Sequence, residues 1–429
     1  MPSYSSEFNS VLRKVKAHEK WFSESLPLIA SENVASRPVR EVMSSDLGHR
    51  YAEGWPGERV YAGCKFIDQI ELQAIALGKK LFRSEFIDVR PISGVVANLA
   101  VYSALSGPGD KMMALPIPSG GHISHGKKDF SGSAGLVHSL DIEYFAFDKE
   151  EMNIDVDASK KRIRGLKSIR LAMFGGSLFL FPHPVRELAQ AVRDAGGTVC
   201  YDAAHVIGLI AGGQFQDPLR EGAQVMTFST HKTLFGPQGG AIVSGEEFVD
   251  QLKKAVFPGT TSNHHLHSVA GKALVFAEFL EFGRAYAKDI VRNSQALAGN
   301  LARLGEKVLG EKNGYTKSHQ IAVDVTRHTD GGTMEKLLES QNIIINRQLI
   351  PGDLQSGRHY TNPGGIRLGV AELTRLGMGK GEMVEVAEII HLAMSGKKKR
   401  DVVARTKELR KGFQKVKYTF GDSPAYFFR

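Results

Sequence analysis

Between Ile87 and Ser244 the chain alternates short apolar runs with helical or loop stretches, and this alternation limits the folds open to it. The runs are Ile87–Pro91, Lys111–Leu115, Ile142–Phe145, Ile169–Met173, Thr198–Tyr201, Val225–Phe228 and Ala241–Val243. Helical patterns cover Val95–Leu105 and Val185–Ala195. Apolar strands that alternate with helices imply a seven-stranded, mostly parallel sheet covered on both faces. In such sheets ligands collect at the carboxyl ends of the strands. Polar residues at those ends are therefore the ones to examine first.

Elements before and after this block are of a different kind. Residues 8–24 have the period of an amphipathic helix, Leu26–Ala30 reads extended ahead of the polar triplet Ser31-Glu32-Asn33, and a second helix is expected from Pro38 to Leu47. The segment from Tyr51 to Cys64 is dense in glycine, aromatic and ionisable residues and has neither period. Such a loop is either functional or an aromatic bridge between helices. Ile67–Phe82 and His267–Leu304 read as helices, and the latter is followed by a smaller α+β unit with strands at Ile321–Val325, Ile343–Ile345 and Ile366–Leu368. At 429 residues one compact core is too small an account. The expected division is an N-terminal helical arm (1–46), a large domain (47–283) and a small C-terminal domain with a basic tail (284–429).

Charge and cysteine content narrow the function classes. Eleven Lys or Arg against three Asp or Glu lie from Lys397 to Arg429, so the tail holds nearly all of the net charge of +9. A uniformly basic face for nucleic acid is not indicated, and the tail reads as a solvated helix face, with contact to RNA or an acidic partner as the alternative. Two distant cysteines, Cys64 and Cys200, fit a reducing compartment, and no window has the length of a membrane span. The expectation is a cytoplasmic protein that binds neither nucleic acid nor membrane.

Five sites carry chemistry. Lys232 lies in a Gly/Pro-rich turn between two buried runs, where loss of solvent favours the neutral amine that Schiff-base chemistry needs; a surface lysine in a hairpin is the alternative. Asp202 ends the run Thr198–Tyr201, thirty positions earlier, and is otherwise a turn or helix-capping residue. Pyridoxal 5'-phosphate needs both groups, a lysine for its aldehyde and an acid for its ring nitrogen. Ser93-Gly94 ahead of a helix suits the phosphate, though it also suits ordinary capping. His122 follows the next strand and would suit a ring face; a purely structural histidine is the alternative. Arg367, inside a short strand, needs an anion, either a substrate carboxylate or an internal acid. The cluster His264-His265-Leu266-His267 lacks Cys or carboxylate neighbours in sequence, so no metal is expected.

Taken in order, these residues resemble serine hydroxymethyltransferase, in its archaeal-type branch, a fold-type I pyridoxal-phosphate enzyme. The resemblance spans nearly the whole chain. It rests on Leu28–Asn33, Arg50–Gly57, Tyr61–Cys64, Ser119–His122, Asp202–Leu209, Ser229–Leu234 and Gly365–Gly369. It implies that Lys232 holds the cofactor, Asp202 pairs with the pyridine nitrogen, His122 stacks on the ring and His205 contacts the phenolic-oxygen side. Ser93 and Gly94 would cradle the phosphate, with His231 beside them. Ser31 and Arg367 would bind the carboxylate of L-serine or glycine, and Glu53 would exchange the proton of the serine hydroxyl. Tyr51, Glu53 and Tyr61 would come from the partner subunit of a homodimer. The implied reaction moves the hydroxymethyl carbon of serine to a reduced pterin, either tetrahydrofolate or a methanopterin-type carrier. A threonine or allo-threonine aldolase of the same fold, which needs no pterin, is the alternative.

This sequence departs from the family pattern at three places. Val95-Val96 stand where a hydroxyl and an amide usually line the phosphate cup. Thr260–His265 replaces a glycine-rich loop, and Val60-Tyr61 replaces a tyrosine pair.

Overall fold

The computed structural model describes residues 4–427. Its main sheet is built from β1 (Phe86–Asp88), β2 (Lys111–Ala114), β3 (Asp141–Tyr144), β4 (Leu171–Gly175), β5 (Thr198–Asp202), β6 (Val225–Ser229) and β7 (Gly240–Ser244). The spatial order is β1-β7-β6-β5-β4-β2-β3. Only β7 runs against its neighbours β6 and β1; every other pairing is parallel. All seven apolar runs in the sequence therefore became strands of one sheet.

Both faces of this sheet are buried. Leu171, Met173, Cys200 and Ile242 point to one hydrophobic cluster, while Ala172, Phe174, Val199, Tyr201 and Val243 point to the other. Successive side chains of a strand alternate between faces, so covering both faces demands an unbroken apolar run. That is why these segments lack the apolar–polar alternation of a half-exposed sheet.

A 38-residue helix, α1 (Leu266–Arg303), passes without a break through positions 283 and 284, where the large and small domains were expected to meet. Beyond it lies a second, four-stranded sheet of β8 (Lys307–Val308), β9 (Gln320–Asp324), β10 (Asn346–Gln348) and β11 (Gly365–Gly369), in the order β8-β9-β11-β10. Ile343–Ile344 is a strand as expected but belongs to neither sheet. It pairs in parallel with Leu26–Pro27 and so ties the N-terminal segment to the C-terminal unit. The basic tail forms α2 (Lys399–Lys411), which packs Val402, Thr406 and Arg410 inward and keeps most of its charges in solvent. No helix among the described residues is long and apolar enough to cross a membrane.

Candidate active site

Five loops meet at one edge of the main sheet. They follow β1, β2, β4, β5 and β6, whose carboxyl ends all lie there because those strands are parallel. The turn after β6 brings Lys232 to this edge. Its side chain is buried, and its carbonyl oxygen accepts a 2.8 Å hydrogen bond from Asn33 Nδ2, which also donates to Tyr286 Oη. Burial pushes the Lys232 amine down to about 8; Asp202 opposes the shift and Arg367 adds to it.

Asp202, the last residue of β5, is almost wholly buried. Its Oδ1 accepts from the Ala204 N–H at 2.9 Å, and its Oδ2 accepts from Asn98 Nδ2 at 2.8 Å and from His125 Nε2 at 3.0 Å. Burial alone would raise this carboxyl. The hydrogen bond and charge of His125, with help from His122 and Asn98, hold it well below the ordinary carboxylate range. An ionised carboxylate offers about four acceptor positions. Three are taken here, which leaves one for a further N–H donor.

Five histidines surround these two groups. His122 Nδ1 lies 2.6 Å from Ser124 Oγ, and burial drives its pKa down to about 3. His205 Nδ1 is 2.8 Å from Gln320 Nε2, and its ring stacks on His319. His231, next to Lys232, is held at about 4 by burial, and its Nδ1 is buried without a partner. His122, His125 and Asp202 lie close enough to suggest a metal site. Within that cluster His125 bonds Asp202, whereas His122 Nδ1 bonds Ser124.

Ser93 caps a helix spanning Gly94–Leu105, and its Oγ accepts the Val96 N–H at 3.2 Å. A Cβ at Gly94 would fall 2.4 Å from Ser229 Oγ. The helix start thus lies directly against the end of β6, next to the turn that carries Lys232.

Arg367 reaches the site from the second sheet. Its Nη1 donates to the Ser177 carbonyl oxygen and its Nε to Asn346 Oδ1 at 3.2 Å. Among the described residues no carboxylate pairs with it. Ser31 is brought beside β11 by backbone packing: the Gly369 N–H donates to the Leu28 carbonyl at 2.7 Å, and a Cβ on Gly369 would strike Ala30 Cα at 2.4 Å.

Tyr51, Glu53 and Tyr61 lie apart from this cluster. Tyr51 and Tyr61 are 55% and 43% exposed and meet edge to face at 5.3 Å. Buried Arg59 pins their loop by donating to the carbonyls of Ala52 and Gly54 and by pairing with Asp68 and Glu71. Ser262 Oγ donates to Glu53 Oε1 at 2.5 Å, and Asn263 bonds the Ala52 N–H and the Arg50 carbonyl. The unusual Thr260–His265 segment thus holds the Glu53 loop. His264 Nε2 lies 2.9 Å from Glu71 Oε2, an acid distant in sequence.

Sequence reasoning missed Asn98, His125, Gln320 and the Ser177 carbonyl. His125 alone carried a local signal, since it lies in the same strand-end loop as His122. Asn98 reads as one more polar residue in a helix until the fold turns it toward Asp202 and Thr227.

The family model for serine hydroxymethyltransferase matches residues 5–390. The chain is 59% identical to a serine hydroxymethyltransferase of Cenarchaeum symbiosum, over 98% of this chain and 96% of that protein. It is 58% identical to one of Nitrosopumilus maritimus, over 96% of this chain and 95% of that protein. A third similar protein of the same description, from Korarchaeum cryptofilum, is 54% identical over 98% of both chains.

Proposed function

Because the chain belongs to the serine hydroxymethyltransferase family, fold-type I enzymes that use pyridoxal phosphate and interconvert serine and glycine, we propose that its strand-end cluster holds pyridoxal 5'-phosphate and passes the hydroxymethyl carbon of L-serine to a reduced pterin. One observation carries the substrate reading. Arg367 is a buried guanidinium with no carboxylate partner among the described residues, in the same compartment as Lys232 and Asp202. A buried cation of this kind calls for an anion, and an amino-acid carboxylate fits its planar fork.

The residues present fit the cofactor. Lys232 offers an amine biased toward its neutral form, Asp202 offers a free acceptor position held ionised, and the cap at Ser93-Gly94 offers backbone N–H groups. When bound, the group supplies an electron sink for bond cleavage at the serine α-carbon. His122 bounds one ring face, and His205, fixed by Gln320, stands on the phenolic-oxygen side. Ser31 and Arg367 take the substrate carboxylate. Glu53, from the partner subunit with Tyr51 and Tyr61, holds the proton of the serine hydroxyl. The exposure of both tyrosines supports a homodimer whose active sites lie between subunits.

A mostly apolar cleft of about 610 Å³ adjoins His122, with Pro116, Ile117, Ile123, Phe130, Leu349 and Tyr360 on its walls. Its size suits a ring system such as a reduced pterin, and a tetrahydrofolate or a methanopterin-type carrier supplies one. Two buried, unpaired cysteines support a cytoplasmic location.

The test is serine turnover by the yellow, purified protein with tetrahydrofolate, with a tetrahydromethanopterin-type carrier and with neither. Faster glycine release with one carrier supports the transfer. Equal release in all three supports the pterin-independent aldolase instead. Borohydride reduction should fix the cofactor on Lys232, and a colourless protein that takes up no pyridoxal phosphate would sink the reading.

A further inference from the structure

Lys272 is a buried lysine on α1 that none of the chemistry above uses. Its Nζ donates to three carbonyl oxygens, Val89 at 2.6 Å, Gly240 at 2.9 Å and Pro91 at 3.2 Å. An ammonium has three protons, so all three are satisfied. The nearby acids are already committed: Asp88 pairs with Arg90, and Glu71 pairs with Arg59 and His264. Lys272 forms no ion pair among the described residues; three carbonyl dipoles hold its ammonium against burial, which lowers the amine to about 7, while Asp88 and Glu71 favour the charge from farther away.

The three carbonyls belong to two turns. Val89 and Pro91 lead into Ser93-Gly94, and Gly240 closes the turn that carries His231 and Lys232. These turns also touch directly. The Gly240 N–H donates to the Pro91 carbonyl at 2.9 Å, and a Cβ on Gly240 would fall 2.3 Å from the Ser93 carbonyl. The Lys272 stem lies against Gly239, whose added Cβ would come within 2.6 Å of Lys272 Cε. The ammonium of Lys272 is thus clamped between the turn that leads into Ser93-Gly94 and the turn that carries Lys232.

We propose that Lys272 is a positioning residue for the cofactor phosphate: it locks the Ser93-Gly94 turn to the Lys232 turn and supplies a buried positive charge behind the anion cradle. This rests on the reading that the phosphate sits at Ser93-Gly94. The charge matters more in this chain because Val95 and Val96 add no polar side-chain atoms to the cradle. A buried cation near a dianion is screened little by solvent.

The experiment titrates cofactor-depleted wild type and Lys272→Met with pyridoxal 5'-phosphate and, separately, with pyridoxal, following visible absorbance, with circular dichroism as the check on folding. The variant should bind pyridoxal 5'-phosphate at least about tenfold more weakly and pyridoxal within about twofold of wild type, because only the phosphate feels the charge. Inorganic phosphate should raise the melting temperature of the depleted wild type and not of the variant. Equal weakening for both ligands, or weakening of neither, overturns the proposal. Should Lys272→Met fail to fold, Gly239→Ala, which displaces the ammonium, decides by the same ratio. If wild type itself takes up no pyridoxal 5'-phosphate, the cofactor reading falls with the proposal; if wild type binds it and the variant binds it equally, only the role of Lys272 falls.

Discussion

His125 Nε2 stands 3.0 Å from Asp202 Oδ2, deep in the protein, and with Asn98 it fixes which oxygen of that carboxylate remains open. Removing the acid strands both donors. Asp202→Ala should abolish serine turnover and cost about 2–4 kcal/mol of stability, read from denaturant unfolding, because buried partners are left unpaired. Near-normal activity in that variant would remove Asp202 from the chemistry.

Lys232→Ala should behave in the opposite way. The amine is buried with no hydrogen bond to its Nζ among the described residues, so losing it relieves desolvation and leaves the fold within about 1 kcal/mol of wild type. Turnover and visible colour should both vanish, as kinetic assay and absorbance will show.

The rate of cofactor capture should depend on pH in a defined direction. Burial lowers the Lys232 amine from its ordinary value to about 8, so the nucleophilic neutral form is a minority below that pH. In depleted protein the capture rate should rise about tenfold per pH unit below 8 and level off above it. Stopped-flow absorbance across pH 6–10, on the order of that range, follows this directly. A flat profile would mean that the amine is not the titrating group.

Gly369→Ala tests how Ser31 meets Arg367 without altering either. The added Cβ would land 2.4 Å from Ala30 Cα, which is backbone and yields only if the Leu28–Ser31 segment shifts. The expected outcome is a loss of about 1–3 kcal/mol of stability and a raised KM for serine, with cofactor colour retained. An unchanged KM would separate Ser31 from substrate binding.

Active sites shared between subunits make a sharper claim. Lys232→Ala and Glu53→Gln should each be inactive alone. Unfolded together and refolded, they should recover about a quarter of wild-type turnover, since half of the dimers are mixed and each has one intact site. No recovery would place Glu53 in the same subunit's site or outside the chemistry.

Much of this was legible locally. Seven buried strands announced themselves as apolar runs because both sheet faces are covered, and Lys232, Asp202, Ser93 and His122 could be placed at strand ends by counting along them. Arg367 stood out as a guanidinium inside an apolar strand. These signals need only neighbours within a few residues.

What the tertiary structure decided was each pairing across long sequence distance. Pattern shows that Ile343-Ile344 is a strand but not that it pairs with Leu26-Pro27, since many apolar partners satisfy the same backbone donors. Nor does it show that Asn98 and His125 converge on Asp202, that Ser262 and Asn263 hold the Glu53 loop, or that Lys272 joins two turns from a position 32 residues past one of them. In each case the partner is chosen by sheet order and by which buried polar group remains unsatisfied, and those are properties of the packed chain rather than of any segment of it.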